Sequence, residues 1–331
     1  MIKKIITYFV FLICISIYAK TPELRQDDRV RIAEAIKIAD KFGNEVWKDW
    51  NKTPFTLLLV TDKYEFLINH PNPSEDFKKL GYDSLLKSEV SYRDKTFSEH
   101  FLATFPAVNG INTIVVGIPE NTGRSSIAWI FTILHEHFHQ YQYSHPDYYT
   151  AVDSLGLAGD DNTGMWMLNY KFPYDNKEVD KQYGVMMKAM KDVLGFFGTK
   201  EYEMMLLDFK NERANFKKLL NEKDYAYFSF QNWQEGIADY TEMKLMELLQ
   251  KDNYEFSDAV KKLNDYIPLD SFAVKYYNNK MNLAQYEELN EDKRVCFYTS
   301  GSLEGLVLDK VNPDWHDLYF EKKFYMEEYY K

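Results

Sequence analysis

The chain has 331 residues, 45% of them apolar, which is enough to bury a large core and excludes a disordered chain as the starting assumption. Its formal net charge is −11, and because an acidic surface repels phosphate backbones, nucleic acid is not expected as a partner. The sequence contains none of the glycine-rich phosphate loops, dinucleotide fingerprints or G-x-S-x-G elbows that would indicate nucleotide binding or serine hydrolysis.

Residues 1–19 have the composition of a secretory signal peptide. Lys3 and Lys4 form a basic start, and the apolar stretch from Ile5 to Ala19 is short for a membrane span and ends in a small residue. Cleavage near Ala19 would remove two positive charges and take the formal charge to −13. We therefore expect an exported protein, periplasmic or extracellular, without stable membrane insertion after cleavage. An uncleaved anchor is the alternative.

The same cleavage would remove one of the two cysteines. Loss of Cys14 leaves Cys296 alone, so the mature chain could form no internal disulfide even in an oxidising compartment. Its stability would then depend on the core.

Hydrophobic periodicity predicts an α+β fold with two lobes, residues 20–145 and residues 146–331. The first lobe begins with an amphipathic helix over residues 29–50 and continues with three runs rich in β-branched residues, 53–62, 64–69 and 112–121, which predict strands of a small sheet. From residue 125 onward the spacing is mainly helical, with helices predicted over 125–144, 180–198, 200–220, 230–250 and 300–310.

The first of these later helices carries the stretch LHEHFHQYQYSH, residues 134–145, which holds four of the seven histidines. Within it, His135, Glu136 and His139 form an H-E-x-x-H motif. Residues four apart on a helix lie about 40° apart around the axis, so the two histidines point the same way and can share one cation. Glu136 is turned by about 100° and would flank the metal as a base. His137 has no role in this scheme.

A catalytic zinc site needs a third protein ligand, and the sequence offers two. His145 lies ten residues after His135 and gives a pattern that resembles the metzincins, except that Gln142 stands where that family has a helix-breaking glycine. The other candidate is Glu235 in NWQEGIADY, which is followed four residues later by Asp239.

H-E-x-x-H with a downstream Glu-x-x-x-Asp helix resembles the gluzincins, the thermolysin-like zinc metallopeptidases. The resemblance implies a zincin-like fold, with the active-site helix between the two lobes, and covers about forty residues. Carried over by residue, it implies that His135, His139 and Glu235 bind Zn²⁺, that Glu136 is the general base, and that Asp239 accepts a hydrogen bond from a ligand histidine. The substrate would be a peptide or protein, cleaved by a zinc-activated water.

The resemblance also suggests where the substrate and the developing oxyanion would lie. In zincins the strand before the active-site helix borders the cleft as an edge strand, which would be residues 111–121 here; as a bare strand this segment would lie inside the sheet. Tyr298, expected just before a helix, and His316 are the candidate donors to the oxyanion. The aminopeptidase segment Gly-x-Met-x-Asn has no counterpart in residues 105–117.

Two alternatives to a gluzincin remain. One is a metzincin-like peptidase with His145 as the third ligand. The other is a binding or surface protein that keeps a zincin fold without turnover, which the 17% aromatic content and the missing specificity segment favour.

Overall fold

A computed structural model describes residues 21–331. The predicted signal peptide, residues 1–19, lies outside these residues. Within the described part, no helix combines the length and apolar character needed to cross a bilayer.

The β-structure of residues 21–331 is one mixed sheet with strand order β3-β4-β2-β1-β6-β5. Strands β1 and β6 pair in parallel, and the other neighbours pair antiparallel. The strands are β1 Leu57–Val60, β2 Tyr64–Ile68, β3 Lys78–Asp83, β4 Ser88–Asp94, β5 Leu102–Val108 and β6 Ile111–Gly117.

Helices make up about 58% of the structure. They are α1 Gln26–Val46, α2 Pro119–Thr122, α3 Ser126–Ser144, α4 Tyr148–Ser154, α5 Trp166–Asn169, α6 Lys177–Gly195, α7 Tyr202–Lys218, α8 Glu222–Gln231, α9 Ile237–Lys251, α10 Asp258–Lys261, α11 Leu269–Tyr286, α12 Leu289–Asp292, α13 Cys296–Val311 and α14 Trp315–Lys322. A π-helical segment, Asn232–Gly236, joins α8 to α9, and 3-10 turns occur at Trp50–Lys52, Lys293–Val295 and Met326–Tyr329.

The α+β class predicted from the sequence is confirmed. The three predicted strand segments cover β1, β2 and all of β6 except its first residue, whereas β3, β4 and β5 were not predicted. The edge position that the resemblance implied for residues 111–121 was wrong, and the position inside the sheet expected of a bare strand is confirmed, because β6 lies between β1 and β5. Five consecutive buried residues in β6 fit an interior position, and β5, which contains Pro106, forms the edge.

Each face of the sheet has its own apolar layer. The helices cover one face and form the main core, which runs continuously from Leu24 to Tyr329 and so includes residues of both predicted lobes. The other face carries a small cluster built around Leu58, Leu67 and Val115, with phenylalanines packed over it. The two faces explain why the central strands are buried on both sides.

Helix α3 runs through the main core between the sheet and the other helices. Nearly all its side chains are buried, as expected from the apolar run 127–134. Its first residue is held by a residue far away in the sequence. The Asp265 carboxylate accepts hydrogen bonds from the backbone N–H of Ser126 at 2.7 Å and from the Ser126 hydroxyl at 2.5 Å. A carboxylate at a helix N-terminus satisfies a free N–H and complements the helix dipole. This anchor holds the helix that carries H-E-x-x-H.

Candidate metal centre

Helix α3 places the two histidines of H-E-x-x-H on one face, inside the protein. His135 and His139 are 6% and 4% exposed, and their ring centroids lie 4.8 Å apart. Glu136 is also buried, and its carboxylate oxygen and the ring nitrogens of the two histidines lie within 4.8 Å of one another. Two imidazoles and a carboxylate therefore meet in a buried place, where they need strong partners.

Glu235 meets both imidazoles from the π-helical segment. Its Oε2 lies 3.6 Å from Nε2 of His135 and 3.3 Å from Nε2 of His139. The pKa of Glu235 is lowered well below its usual value because the two histidines outweigh burial, which alone would raise it. The side chain retains 17% exposure, so the three donor atoms converge where solvent still reaches the carboxylate.

A close backbone contact fixes the segment that carries Glu235. A Cβ atom built on Gly236 would lie 2.4 Å from Cα of Gly301 in α13, and one built on Gly301 would lie 2.4 Å from the carbonyl oxygen of Asn232. Only glycine fits at either position. Asn232 is also hydrogen-bonded to Ser300 of α13. The π segment and α13 are thus held at backbone-to-backbone distance.

Two carboxylates from α9 face the second ring nitrogen of His135. Nδ1 lies 3.0 Å from Oε1 of Glu242 and 3.5 Å from Oδ1 of Asp239. Burial alone would lower the pKa of His135, but these carboxylates and Glu235 raise it well above its usual value. Such an outer partner fixes the tautomer that leaves Nε2 free to bind a metal.

Asp239 is shared between the histidine and a buried lysine. Its Oδ2 forms an ion pair with Lys280 of α11 and its Oδ1 is 3.4 Å from the hydroxyl of Tyr276. Burial would raise the pKa of Asp239, but Lys280 and His135 lower it. For Glu242, burial prevails and raises the pKa. The two acids therefore differ: Asp239 is tied to Lys280, and Glu242 faces His135 more closely.

The second ring nitrogen of His139 faces two glutamines. Nδ1 lies 2.6 Å from Oε1 of Gln142 and 3.1 Å from Nε2 of Gln234. The shorter contact makes Nδ1–H of His139 the donor to Gln142. The side-chain amide nitrogen of Gln142 in turn donates to the hydroxyl of Tyr319 at 2.7 Å and to the backbone carbonyl of Gln234 at 3.0 Å. Gln142 thus holds the His139 ring with Nε2 towards Glu235, and α3 continues past it to Ser144 without a turn.

The edge strand β5 contacts the expected general base. The Thr104 hydroxyl lies 2.8 Å from Oε2 of Glu136 and 2.9 Å from its backbone carbonyl. Thr104 is itself buried. This contact connects the edge of the sheet directly to Glu136 and limits the rotation of its carboxylate.

Two tyrosines lie parallel to the two histidines. The Tyr298 ring is 6.0 Å from that of His135 at an interplanar angle of 10°, and the Tyr143 ring is 6.0 Å from that of His139 at 14°. Burial and the charge of Glu235 raise the pKa of both hydroxyls well above the usual value, so both remain donors. From its sequence position, Tyr298 was expected just before a helix. In the structure it lies within the first turn of α13.

The remaining histidines of the predicted scheme lie apart from this cluster. His145 follows the last residue of α3 and stacks on Phe320 at 3.4 Å between ring centroids. The His316 ring packs against Trp47 at 4.2 Å between centroids, tilted by 31°, and contacts the Tyr240 hydroxyl through Nε2 at 2.9 Å. Both line a surface cavity of about 520 Å³. The structure does not bring either of them to Glu235.

His137 has an aromatic environment instead of a metal-binding one. Its ring packs 5.5 Å from Trp50 and 4.4 Å from Phe55, and Nδ1 lies 2.9 Å from Oε1 of Gln140. Burial lowers its pKa to about 4. This agrees with its lack of a role in the motif.

Residues that the sequence reasoning missed are Glu242, Gln142, Thr104 and Tyr143. Two of them carried a recognisable signal: Glu242 lies three residues after Asp239 and seven after Glu235, a helical repeat, and Gln142 lies three residues after His139. Thr104 had no signal, since it belongs to a strand that was not predicted.

The charge balance of the cluster favours a cation. Four carboxyl groups lie at His135 and His139, from Glu136, Glu235, Asp239 and Glu242, and the cations that oppose them are Lys280 and His135 itself, whose pKa they raise, so the acidic groups are in excess. Buried negative charge is costly unless it is paired. No protein-family model, no curated protein and no solved structure matches this chain, so the chemistry is inferred from this cluster.

Proposed function

We propose that the protein is an exported zinc metallopeptidase of zincin-like fold, in which His135, His139 and Glu235 hold Zn²⁺ and Glu136 is the general base. The observation that carries the proposal is the convergence of both histidine Nε2 atoms on one oxygen of Glu235, at 3.6 and 3.3 Å.

These distances suit a tetrahedral ion. Zn–N and Zn–O bonds are about 2.0–2.2 Å long, so neighbouring ligand atoms of a tetrahedral site lie about 3.4 Å apart. Two nitrogens and one oxygen leave the fourth position for water or substrate, as in catalytic zinc sites. The outer partners of His135 and His139 keep both Nε2 lone pairs directed towards the same point.

Bound zinc would supply a Lewis acid that lowers the pKa of water to about 7 and polarises the scissile carbonyl. Glu136 would take the proton from the attacking water and return it to the leaving amine. Thr104, hydrogen-bonded to Oε2 of Glu136, would orient that carboxylate. The Tyr298 hydroxyl, or that of Tyr143, would donate to the carbonyl oxygen as negative charge develops there.

The sheet offers a surface for a peptide. Strand β5 is the last strand of the sheet on the side nearest the site, and its Thr104 touches Glu136. An extended peptide pairing along such an edge would run past the general base. This supports a peptide, rather than a small molecule, as the substrate.

Metal analysis of the purified protein tests the binding half of the proposal. Wild type should bind one zinc per chain, and E235Q should lose most of it. E247Q is the matched control. Glu247 is exposed on α9, the helix that follows the segment carrying Glu235, and its replacement should leave the zinc content unchanged. Undiminished zinc in E235Q would contradict the ligand assignment.

A peptide-library cleavage profile tests the catalytic half. Zinc-loaded wild type should cleave peptide bonds, and E136Q should retain zinc while its kcat falls by at least about a hundredfold. Zinc binding with no cleavage by the wild type, and an unchanged cellular role for E136Q, would instead favour a zincin-fold binding protein.

A further inference from the structure

Arg294 lies one turn before Tyr298, at the border of the candidate metal centre. It belongs to the 3-10 turn Lys293–Val295 that leads into α13, and its Nη1 donates a hydrogen bond of 3.0 Å to the Tyr298 hydroxyl. The Tyr298 ring stacks parallel to His135. One phenol therefore separates the guanidinium from a ligand histidine.

Among the arginines of residues 21–331, Arg294 is the one that is partly buried and yet forms no ion pair with a carboxylate; the charge of Glu235 reaches it only from a longer distance. Ion pairs with carboxylates are formed by Arg25, Arg29, Arg31, Arg93 and Arg213. Arg124 has none but is exposed, where water satisfies it. Arg294 is half-buried, and within the described chain no carboxylate oxygen lies within 4.0 Å of it. In a chain with 51 acidic and 40 basic residues, such a cation is conspicuous.

Most of its donors remain available. A guanidinium has five N–H groups in a planar fork, and the hydrogen bond to Tyr298 uses one. Nε and Nη2 of Arg294 have no hydrogen-bond partner within the described residues. Neither atom is among the fully buried polar atoms that lack a partner, so both still contact solvent. The fork is thus open to a ligand.

The surroundings of the fork suit an organic anion. Burial raises the pKa of the hydroxyls of Tyr298, Tyr227 and Tyr174, and the charge of the Arg294 guanidinium opposes this rise in all three, so all three phenols lie within reach of its charge. A half-desolvated guanidinium among phenols matches the planar, bidentate geometry of a carboxylate.

We propose that Arg294 binds a carboxylate of the substrate and makes the enzyme prefer peptides that carry one close to the scissile bond. The inference rests on the proposed function. The ring centroid of Tyr298 lies 6.0 Å from that of His135 and 5.6 Å from the Arg294 guanidinium. The His135 ring and the Arg294 guanidinium are therefore at most about 12 Å apart. Extended peptide spans about 3.4 Å per residue, so the carboxylate lies within about three residues of the cleaved bond. It belongs to a free C-terminus or to an Asp or Glu side chain.

Three matched peptides test this: one with a free C-terminal carboxylate, its C-terminal amide, and the amide with a glutamate within three residues of the cleaved bond. Zinc-loaded wild type should favour a carboxylate peptide over the plain amide by about tenfold or more in kcat/KM, mainly through KM. R294Q should lose this preference with unchanged zinc content, R294K should keep part of it, and R124Q should match wild type. The peptide that is preferred identifies the source of the carboxylate.

Binding of the same peptides to zinc-loaded E136Q, measured by calorimetry, gives a readout without turnover. If zinc-loaded E136Q prefers a carboxylate peptide and E136Q/R294Q does not, the carboxylate-binding role of Arg294 is supported. This holds even if wild type cleaves no peptide, a result that would contradict the proposed hydrolysis but not the role of Arg294. Equal binding and cleavage of acid and amide peptides by wild type, or a preference that R294Q retains, would overturn the role of Arg294 and leave the metallopeptidase standing.

Discussion

Oε1 of Glu242 lies 3.0 Å from Nδ1 of His135, closer than Asp239, whose Oδ1 is 3.5 Å from the same nitrogen. Asp239 also forms an ion pair with Lys280, whereas Glu242 forms none with it and has the Tyr276 hydroxyl as a further neighbour. The carboxylate that orients the ligand and the carboxylate that neutralises the buried lysine can therefore be separated by mutation.

Replacing Glu242 with methionine should weaken zinc binding while the protein stays folded. The substitution removes the acceptor for His135 N–H, and loss of such an outer partner costs about 10–100-fold in metal affinity. The Glu242 side chain is buried and methionine is of similar size, so we expect the variant to keep the packing at this position. Chelator competition measures the zinc Kd, with E247Q as the control; an unchanged Kd would assign the role to Asp239.

Changing Asp239 to asparagine should mainly reduce stability. It leaves the Lys280 ammonium buried without its carboxylate, and breaking a buried pair from one side costs about 3–5 kcal/mol. Adding K280M should recover much of this loss because no charge is then left unpaired. Urea unfolding of metal-free protein measures both variants, and a double variant no more stable than D239N would argue against the pair.

Removing His145 should leave the metal site intact. The imidazole packs on Phe320 beyond the end of α3, so H145A should keep one zinc per chain, whereas H139A should lose it. Metal content after dialysis distinguishes them. Zinc loss in H145A, with retention in E235Q, would support the metzincin-like alternative.

Replacing Gly301 with alanine should destabilise the protein and lower zinc content together. The new methyl group would meet the Asn232 carbonyl at 2.4 Å and push the π segment, with Glu235, away from α13. Overpacking of this kind costs about 1–3 kcal/mol. G184A is the control, since nothing lies within 4 Å of a Cβ there and alanine favours helix α6, so its stability should be equal or higher. A G301A protein with normal Tm and zinc would disprove the tight contact.

Stability should fall on acidification partly because of His316. Burial lowers its pKa from 6.5 to about 4, although Asp309 and Asp317 oppose this and Lys244 adds to it. Between these two values the unfolded chain binds the proton and the folded chain does not, so folding is opposed progressively as the pH drops below 6.5. The contribution reaches at most about 3 kcal/mol. H316F should remove this part of the pH dependence, measured as the free energy of unfolding from denaturant titrations at pH 7 and pH 4.5. The same loss of free energy between the two pH values in wild type and H316F would refute it.

The fold was predictable where burial leaves a strong pattern. The buried runs of β1 and β6 and the apolar face of α3 are visible in the sequence. Strand β3 is exposed or half-exposed along its whole length, and α11 buries only four of its 18 residues, so neither carries a clear periodic signal. These elements are defined by their neighbours instead of by their own composition.

The site divides in the same way. His135, Glu136 and His139 are related by local helix geometry, which the sequence contains. Glu235 could be proposed only by resemblance, because its approach depends on the contact between Gly236 and Gly301, two positions 65 residues apart in the chain. Arg294 belongs to a short turn whose neighbours are set by tertiary packing.

The π-helical geometry of Asn232–Gly236 gives the length of this segment a special importance. A π segment is an α-helix that has accommodated surplus backbone within one turn, with hydrogen bonds that reach five residues instead of four. Deleting a single residue there would allow α8 to continue into α9 as regular helix, and each residue of an α-helix advances by about 100°. Glu235 would then turn away from both histidines although its identity was preserved. Within this turn the protein should tolerate a change of residue type more readily than a change in the number of residues.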